Sequence, residues 1–211
     1  MSYCLTRAER KRRKGTSFLL LLLISFFAVL AAMFIWRTGR SLYDYFNRPR
    51  RYDAIIRNAG LRNQLDPALI KAVIWRESRF NCSARGLKGE IGLMQIMPGY
   101  AAVDWARFHR CKVPSNGALF DPELNIDIGS WYLARAVRRY RQYKDCFALA
   151  LCEYNAGARR AADWKPADPN QSVSERITIP STKQYVQDIL KQYDHYKKQA
   201  SCPRKKKARA R

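Results

Sequence analysis

The sequence is poor in the residues that usually build metal centres. It contains only two histidines, His109 and His195, and no two of its cysteines stand in a CxxC arrangement. Structural zinc sites need clustered cysteine and histidine ligands, so the sequence argues against a zinc centre. We therefore expect neither a bound metal nor a cofactor.

Acidic residues are scarce as well, with 17 acids against 40 bases and a formal net charge of +23. The excess is concentrated at the ends, because residues 7–14 hold six bases and one acid, and residues 197–211 hold eight bases and no acid. Such a charge is typical of nucleic-acid-binding proteins. The basic tail lacks the interleaved aromatic residues that would stack on bases, so charge alone supports this alternative and we expect no nucleic-acid partner.

One long apolar run stands near the N terminus. Residues 18–36, FLLLLLISFFAVLAAMFIW, carry no charge and as a helix would span about 28 Å, close to the thickness of a bilayer core. A cleaved signal peptide is the alternative, but its apolar region is shorter and ends at small residues, whereas this run ends in MFIW. We predict an uncleaved anchor. The basic residues on both sides favour a cytoplasmic N terminus only slightly.

Five of the six cysteines follow the predicted anchor, so at least one of the five stays free or pairs between chains. Cys146 and Cys152 are six residues apart on a predicted helix and lie on different faces of it, which makes them poor partners for each other. For an exported domain we expect one or two disulfides, with the pairing open.

The region after the anchor has clear helix signals and almost no strand signals. Asp66-Pro67 and Asp121-Pro122 each place an N-cap acid before proline at the first helical position, and predict helices to about residues 79 and 141. Further helices are predicted near 98–109, 145–154 and 182–197, with a short extended piece near 177–180. We therefore predict an all-α fold. The predicted segments are a basic N-terminal segment at 1–17, a transmembrane helix at 18–36, a linker at 37–50, one folded domain at 51–197 and a basic disordered tail at 198–211.

Glu77 is the most informative single residue. On the helix that begins at Pro67, Ile70, Val73, Ile74 and Glu77 follow at i, i+3, i+4 and i+7, which places a carboxylate on an apolar face one turn from the negative end of the helix. Burial and the helix dipole both disfavour the charged form, so the pKa of Glu77 is expected to rise. A carboxylic acid that stays protonated near neutral pH is suited to protonating a leaving-group oxygen.

Four short motifs occur in order: WRESRF at 75–80, GLMQIMP at 92–98, EYNAG at 153–157 and PSTKQYV at 180–186. Together they resemble the motifs of soluble lytic transglycosylases, a family with a lysozyme-like fold related to goose-type lysozyme. The resemblance covers about residues 55–195. It implies a lysozyme-like catalytic lobe, preceded here by the single predicted transmembrane helix, and an enzyme that cuts peptidoglycan.

The resemblance also implies a reaction. Glu77 would protonate the oxygen of the β-1,4 bond between N-acetylmuramic acid and N-acetylglucosamine. It would then accept the proton of the muramic acid C6 hydroxyl, which closes onto C1 to give a 1,6-anhydro end. Ordinary glycosidases need two carboxylates, but an internal hydroxyl as nucleophile makes one sufficient.

Around this single catalytic residue the resemblance implies substrate-binding roles. Gly92 would let the backbone approach a sugar, Met94 would give a sugar face an apolar contact unless it fills the core, and Gln95 would pair with sugar hydroxyls and amides. Ser78 would hold Glu77 or an acetamido group, or serve only as a helix-terminal hydroxyl. The complete predicted set of binding residues is Ser78, Gly92, Met94, Gln95, Tyr154, Asn155 and Tyr185.

The motifs depart from the family pattern at several positions. Glu90 stands where alanine is usual, and Glu153 stands where a small residue is usual. Either these are solvated charges paired with nearby arginines, or one of them positions a water and turns the outcome toward hydrolysis. Ser181 replaces a frequent glutamate, and Cys82 replaces a frequent proline, a change that we connect with disulfide formation.

Three functions therefore stand side by side: a lytic transglycosylase, a hydrolytic muramidase that uses the same Glu77, and a wall-binding scaffold of a secretion or division machine without turnover. The scaffold function without turnover is disfavoured by the presence of Glu77, Gln95 and Asn155. We expect as partners peptidoglycan glycan strands, the cytoplasmic membrane through 18–36, and cell-envelope machinery. The expected location is a single pass through the cytoplasmic (inner) membrane, with the domain facing the periplasm or cell wall.

Overall fold

A computed structural model describes residues 25–40 and 48–201, which belong to two units that divide between residues 47 and 48. In the second unit the described chain is helical. Its helices are α1 (Asp53–Asn63), α2 (Pro67–Ser78), α3 (Ala101–His109), α4 (Pro122–Arg139), α5 (Cys146–Ala156), α6 (Ala158–Trp164) and α7 (Pro180–Ser201). Over the described ranges no strand forms, and pairing is limited to isolated bridges that join Ile91 to Arg85 and Ile96. The predicted all-α class is confirmed.

Two of the helices begin where their capping signals predicted. Asp66 Oδ1 accepts a hydrogen bond from Ala68 N at 2.8 Å, and Asp121 Oδ1 accepts one from Leu124 N at 2.9 Å. Each cap satisfies a backbone N–H that has no partner within the helix. The predicted starts of α2 and α4 are therefore confirmed, and both helices end within about two residues of the predicted position.

Helix α4 lies at the centre of the domain. Ile126, Ile128 and Leu133 are fully buried on different sides of it, as the two apolar faces in its sequence predicted. The helix packs against α1, α3 and α5. A helix that is apolar on several sides is stable only when neighbours cover each of them, which explains this central place.

Helices α2 and α7 run antiparallel and are joined by polar contacts along their length. Tyr193 donates to Asp66 Oδ2 at 2.9 Å at the start of α2. Near its end, Arg76 Nε donates to Asp188 Oδ2 at 3.2 Å. This pairing fixes the first turns of α7 beside the last turn of α2, where Glu77 lies.

Other boundaries differ from the prediction. Helices α1 and α6 were not predicted, and neither has a capping side chain at its first turn. Ile177 is extended as expected, but Pro180 begins α7, whose helical geometry continues to Ser201. The helix therefore runs past the predicted domain end at 197, and the rest of the predicted tail, 202–211, lies outside the described residues.

In the first unit, residues 25–40 form a helix whose apolar side chains, including Phe34 and Trp36, are exposed. Within the two described ranges, no helix combines the length and the apolar character needed to cross a membrane. The start of the predicted anchor, 18–24, lies outside the described residues, as do the basic segment 1–17 and residues 41–47 of the predicted linker.

The four cysteines that the structure describes, Cys82, Cys111, Cys146 and Cys152, are all free thiols. The disulfides expected for an exported domain are thus not formed among these four. Cys152 is enclosed in the core, and burial raises the pKa of its thiol to about 12. Cys4 and Cys202 lie outside the described residues.

Candidate active site

Glu77 occupies the last turn of α2, on the face that the sequence spacing predicted. Ile70, Val73 and Ile74, which precede it on that face, are fully buried, and Glu77 itself is partly buried. Arg79 then adopts a left-handed backbone with φ of 51° and ends the helix. The carboxyl group therefore stands where the apolar core meets the surface.

The nearest partner of Glu77 comes from α7. Tyr185, which is buried, donates its hydroxyl to Glu77 Oε1 at 2.6 Å. The guanidinium of Arg76 lies 5.3 Å from the centre of the Tyr185 ring and is held by Asp188. Tyr185, which the sequence predicted as a substrate-binding residue, thus lies beside Glu77, and the hydrogen bond fixes the orientation of the carboxyl group.

The pKa of Glu77 is raised from 4.5 to about 7, chiefly because burial disfavours the charged form. The negative charge of Glu90 raises the pKa further, whereas the Tyr185 hydrogen bond and the positive charge of Arg76 lower it. At neutral pH a substantial fraction of molecules therefore carries a protonated Glu77, as an acid catalyst requires.

The GLMQ segment, residues 92–95, is fastened to three helices beside Glu77. From α2, Ser78 Oγ donates to Leu93 O at 2.8 Å. From α5, the Tyr154 hydroxyl donates to Met94 O at 2.8 Å. From α4, Asn125 Oδ1 accepts from Met94 N at 2.8 Å. Ser78 and Tyr154 thus act on the backbone of this segment and set its position relative to Glu77.

Asn125 is a residue that the sequence prediction missed. Besides accepting from Met94, its Nδ2 donates to Ile91 O at 2.9 Å and to Leu119 O at 2.7 Å, and the side chain is fully buried. Three of its four hydrogen-bonding positions are therefore used within the protein. The available signal was an amide on a helix whose other inward positions are mostly apolar.

Gly92 has a packing role that the sequence did not predict. Gly92 is buried with φ of 80°, and a Cβ atom there would lie 2.3 Å from Asn125 Nδ2 and 2.8 Å from Leu119 O. Glycine is required because the backbone is left-handed and because the Asn125 amide occupies the space of a side chain. The close approach that the structure shows is that of Asn125, and the approach to a sugar stays a prediction.

For Met94, burial favours the second of the two interpretations. Its side chain is fully buried and lies against α4, where a Cβ atom on Gly129 would come within 2.5 Å of the sulfur. Ser130 Oγ is 3.9 Å from the same sulfur. Contact with a sugar face would require Met94 to leave the core, so the side chain fills space, which was the other interpretation of this residue.

Gln95 and Asn155 keep polar groups near the surface. Gln95 is partly buried, and its Nε2 donates to Gly92 O at 2.8 Å. Asn155 is exposed, and its Oδ1 accepts from Thr182 Oγ1 at 2.8 Å. Because this bond assigns the oxygen of the Asn155 amide to Thr182, its Nδ2 is oriented to donate elsewhere. Thr182, which is buried, was missed by the sequence prediction despite its place in the PSTKQYV motif.

The two unusual glutamates differ in their surroundings. Glu153 is 1% exposed, and both of its carboxylate oxygens lie 2.7 Å from Arg139 Nη1. It is paired with an arginine as expected, but it is buried and not solvated. Glu90 Oε2 accepts from Lys88 N at 2.9 Å, and its charge acts on Glu77. Among the described residues, no group of three or more His, Cys, Asp or Glu side chains could hold a metal ion.

Comparison with known proteins points to one family. A family model described as the transglycosylase SLT domain matches residues 54–177. The soluble lytic murein transglycosylase of Escherichia coli K12 is 31% identical over 161 residues, which cover 74% of this chain and 24% of that protein. The membrane-bound lytic murein transglycosylase C of Edwardsiella ictaluri is 33% identical over 137 residues, or 60% of this chain and 37% of that protein. This chain spans about a quarter of the length of the first soluble relatives that it matches.

Solved structures agree in fold. An inactive mutant of the lytic transglycosylase Slt from Pseudomonas aeruginosa superposes with a TM-score of 0.66 at 26% identity, and covers 79% of this chain and 30% of its own. The 70-kDa soluble lytic transglycosylase of Escherichia coli has a TM-score of 0.64 at 27% identity, over 71% of this chain and 24% of its own. A 70-kDa soluble lytic transglycosylase in complex with bulgecin A has a TM-score of 0.62 at 26% identity, over 76% of this chain and 26% of its own.

Proposed function

Because this chain belongs to the transglycosylase SLT domain family, we propose that it is a lytic transglycosylase that cleaves the β-1,4 bond between N-acetylmuramic acid and N-acetylglucosamine in peptidoglycan. The observation that carries the proposal is a single partly buried carboxyl group, Glu77, whose pKa is about 7 and whose orientation is fixed by Tyr185. Glu153 is buried and both of its carboxylate oxygens are held by Arg139, so the proposal takes Glu77 as the single reacting carboxyl group.

In the first step, protonated Glu77 gives its proton to the glycosidic oxygen as the bond from that oxygen to muramic acid C1 breaks. The proton leaves with the N-acetylglucosamine hydroxyl, and Glu77 becomes a carboxylate. Tyr185 donates to Glu77 Oε1 in this state, and Arg76 supplies a nearby positive charge. Both groups stabilise the charged form that the proton transfer creates.

In the second step, the Glu77 carboxylate accepts the proton of the muramic acid C6 hydroxyl. The freed oxygen bonds to C1 and closes a 1,6-anhydro ring, which returns Glu77 to its protonated form. No water is consumed. A pKa close to the working pH serves both halves of this cycle, because the same group must act first as acid and then as base.

Binding of the substrate is proposed for the polar groups around Glu77. Asn155 Nδ2, oriented by the Thr182 bond, would donate to an acetamido carbonyl or a hydroxyl. Gln95 is the second candidate at the edge of the same segment. Gly92 and Met94 are left out of this set because they are buried.

The decisive test is product analysis of isolated glycan strands with the wild-type protein and Glu77→Gln. Glutamine keeps the size of the side chain and can still accept from Tyr185, but it has no proton to give. We expect 1,6-anhydro ends with the wild type and no cleavage with the variant. Unchanged cleavage by Glu77→Gln would remove Glu77 from the mechanism, and a wild type that binds strands without cutting them would favour the scaffold function.

A hydrolytic muramidase is the second candidate, and Glu90 is the observation that favours it. This carboxylate is close enough to raise the pKa of Glu77, and most glycosidases need a second carboxylate to activate water or to act as nucleophile. Mass spectrometry separates the two outcomes, since a hydrolytic product is heavier by one water than the anhydro product. If hydrolysis is found, Glu90→Gln should suppress it selectively.

We further propose that residues 18–36 anchor the protein in the cytoplasmic membrane, with the folded domain in the periplasm or an equivalent wall-facing space. The uncharged run in the sequence supports this, and some relatives are named membrane-bound enzymes. The expected result is a full-length protein that resists alkaline extraction from membranes and is digested by protease added outside the cytoplasm. Release by alkali would contradict the anchor. The same membrane preparations, cross-linked and affinity-purified, would test the expected association with cell-envelope machinery.

A further inference from the structure

Helices α3 and α4 carry a cluster of aromatic side chains that the proposed chemistry does not use. The rings of Trp105 and His109 lie 4.5 Å apart, those of Phe108 and Trp131 lie 5.3 Å apart, and those of Trp131 and Tyr132 lie 6.5 Å apart. These five residues are called the aromatic shelf below. Phe108 is 67% exposed and His109 is also exposed, so part of the shelf faces solvent.

The shelf is continuous with the candidate active site. Tyr132 meets Tyr154 edge to face at a ring distance of 5.9 Å. Tyr154 in turn donates to Met94 O, and the charge of Glu77 contributes to raising the tyrosine's pKa. A row of rings therefore leads from the neighbourhood of Glu77 to the exposed edge of α3.

Its polar groups distinguish the shelf from ordinary core. Buried tryptophan N–H groups usually have a hydrogen-bond partner, yet Trp105 Nε1 and Trp131 Nε1 have none among the described residues. The guanidinium of Arg135 lies 5.1 Å from the Trp131 ring centre and 4.7 Å from that of Tyr132, and Asp104 holds it at 3.0 Å. A cluster selected only for stability would be expected to satisfy its donors and to cover Phe108.

We propose that the aromatic shelf is a distal sugar subsite, where a ring of the glycan strand beyond the cleaved bond stacks on the exposed aromatic edge at Phe108 and His109. This inference rests on the proposed function, because it takes the glycan strand that Glu77 is proposed to cut as its occupant. The C–H faces of pyranose rings carry partial positive charge and fit the negative faces of aromatic rings. Arg135, fixed by Asp104, offers donors to hydroxyl groups, acetamido carbonyls or stem-peptide carboxylates.

A linear strand makes such a subsite useful. The bond that is cut lies within a polymer, so the strand leaves the Glu77 site on both sides, and the row of rings through Tyr154 and Tyr132 provides one path. Binding energy gained at a distance from the reacting atoms can hold the strand in register for the proton transfer. Short fragments that fill only the positions at Glu77 would not reach the shelf.

The test is binding of glycan strands to Glu77→Gln protein, with and without Phe108→Ala. The matched control is Leu61→Ala in the same background, because Leu61 on α1 is an equally exposed apolar residue, at 79%. Calorimetry with strands of graded length should show affinity for long strands reduced about fivefold by Phe108→Ala, the size of one aromatic contact, and unchanged by Leu61→Ala. Affinity for the shortest fragments should not change. His109→Ala provides a second variant, and thermal unfolding checks the fold of each.

Equal affinity of Glu77→Gln protein with and without Phe108→Ala for long strands would overturn the subsite. Binding to anionic phospholipid vesicles is measured in parallel. If Phe108→Ala weakened vesicle binding and left strand binding unchanged, the exposed ring would be assigned to a membrane surface and the subsite would be overturned. Because affinity is measured without turnover, the result is separate from the catalytic proposal. If Glu77→Gln protein still cuts strands, the role of Glu77 fails, and the subsite is then tested by whether Phe108→Ala raises the KM for long strands and leaves that for the shortest fragments unchanged.

Discussion

Replacement of Tyr185 by phenylalanine tests the electrostatic account of Glu77 most directly. The change deletes one hydroxyl from a buried ring and leaves the packing of α7 on α2 otherwise in place. That hydroxyl donates to Glu77 Oε1 at 2.6 Å, and the bond lowers the pKa of Glu77 because it favours the carboxylate. In Tyr185→Phe the pKa of Glu77 should therefore rise above its value of about 7.

The size of the shift follows from the strength of the bond. Hydrogen bonds to charged groups contribute about 1.5–3 kcal/mol, and one pKa unit corresponds to about 1.4 kcal/mol. Loss of the full bond would raise the pKa by one to two units, and water that enters near the carboxylate would reduce the shift to about one unit. Because Glu77 acts first as an acid, the rate falls as pH rises through its pKa. The falling limb of kcat/KM against pH should thus move about one unit to higher pH.

The assay is the release of soluble fragments from glycan strands between pH 5 and 9. Tyr193→Phe is the matched control, because Tyr193 lies on the same helix and donates to Asp66 at the other end of α2. This control should lose about 1.5 kcal/mol of stability or more and leave the pH profile unchanged. A falling limb that stays in place or moves to lower pH in Tyr185→Phe would refute the reasoning. The maximal rate should also fall, since the carboxyl group loses its fixed orientation.

Three further outcomes are expected. Glu90→Gln removes a negative charge that raises the pKa of Glu77. The falling limb of kcat/KM against pH should therefore move to lower pH in this variant. A shift to higher pH would contradict the assigned cause. Asn125→Ala leaves three buried backbone groups without their partner and should lower the free energy of unfolding in urea by about 3 kcal/mol or more, whereas the exposed Asn116→Ala should change it by less than about 0.5 kcal/mol. Glu77 has a raised pKa in the folded state, so the stability that it contributes is fully present below about pH 4.5 and is lost as pH rises through about 7. Glutamine stays neutral, so Glu77→Gln should gain up to about 3 kcal/mol over the wild type between pH 4 and pH 8, and an equal difference at both pH values would contradict the shift.

The helices that could be predicted from sequence are those with a local signal at their ends. The starts of α2 and α4 were predicted from Asp66-Pro67 and Asp121-Pro122. In the structure both aspartates cap their helices. Helix α1 begins after Tyr52, which makes no side-chain cap, and α6 follows Gly157 directly. Tertiary packing stabilises these two helices, and such packing leaves no signature at a helix terminus.

In the candidate site, too, the features that could be predicted are those with a local sequence signal. The position of Glu77 on an apolar face follows from helical spacing alone, but Tyr185 lies 108 residues further along the chain and no local pattern pairs them. Gly92 and Met94 belong to the motif but are buried, and their packing against Asn125 and Gly129 depends on α4, which no local pattern connects with the motif. Asn125, outside every quoted motif, does as much to hold the GLMQ segment as Ser78 or Tyr154.

The proposed mechanism with one carboxylate requires a pKa close to the working pH, and opposing effects in the structure bring the pKa of Glu77 to about 7. Burial alone would push the pKa of Glu77 higher, to a value at which the group stays protonated at neutral pH but gives up its proton less readily. Tyr185 and Arg76 bring the pKa back to about 7. Arg76 is also held by Asp188 on α7, the helix that carries Tyr185, so the pairing of α2 with α7 supplies both correcting groups. The position and the acidity of Glu77 therefore depend on the same helix contact, and any change that separates α7 from α2 should disturb both together.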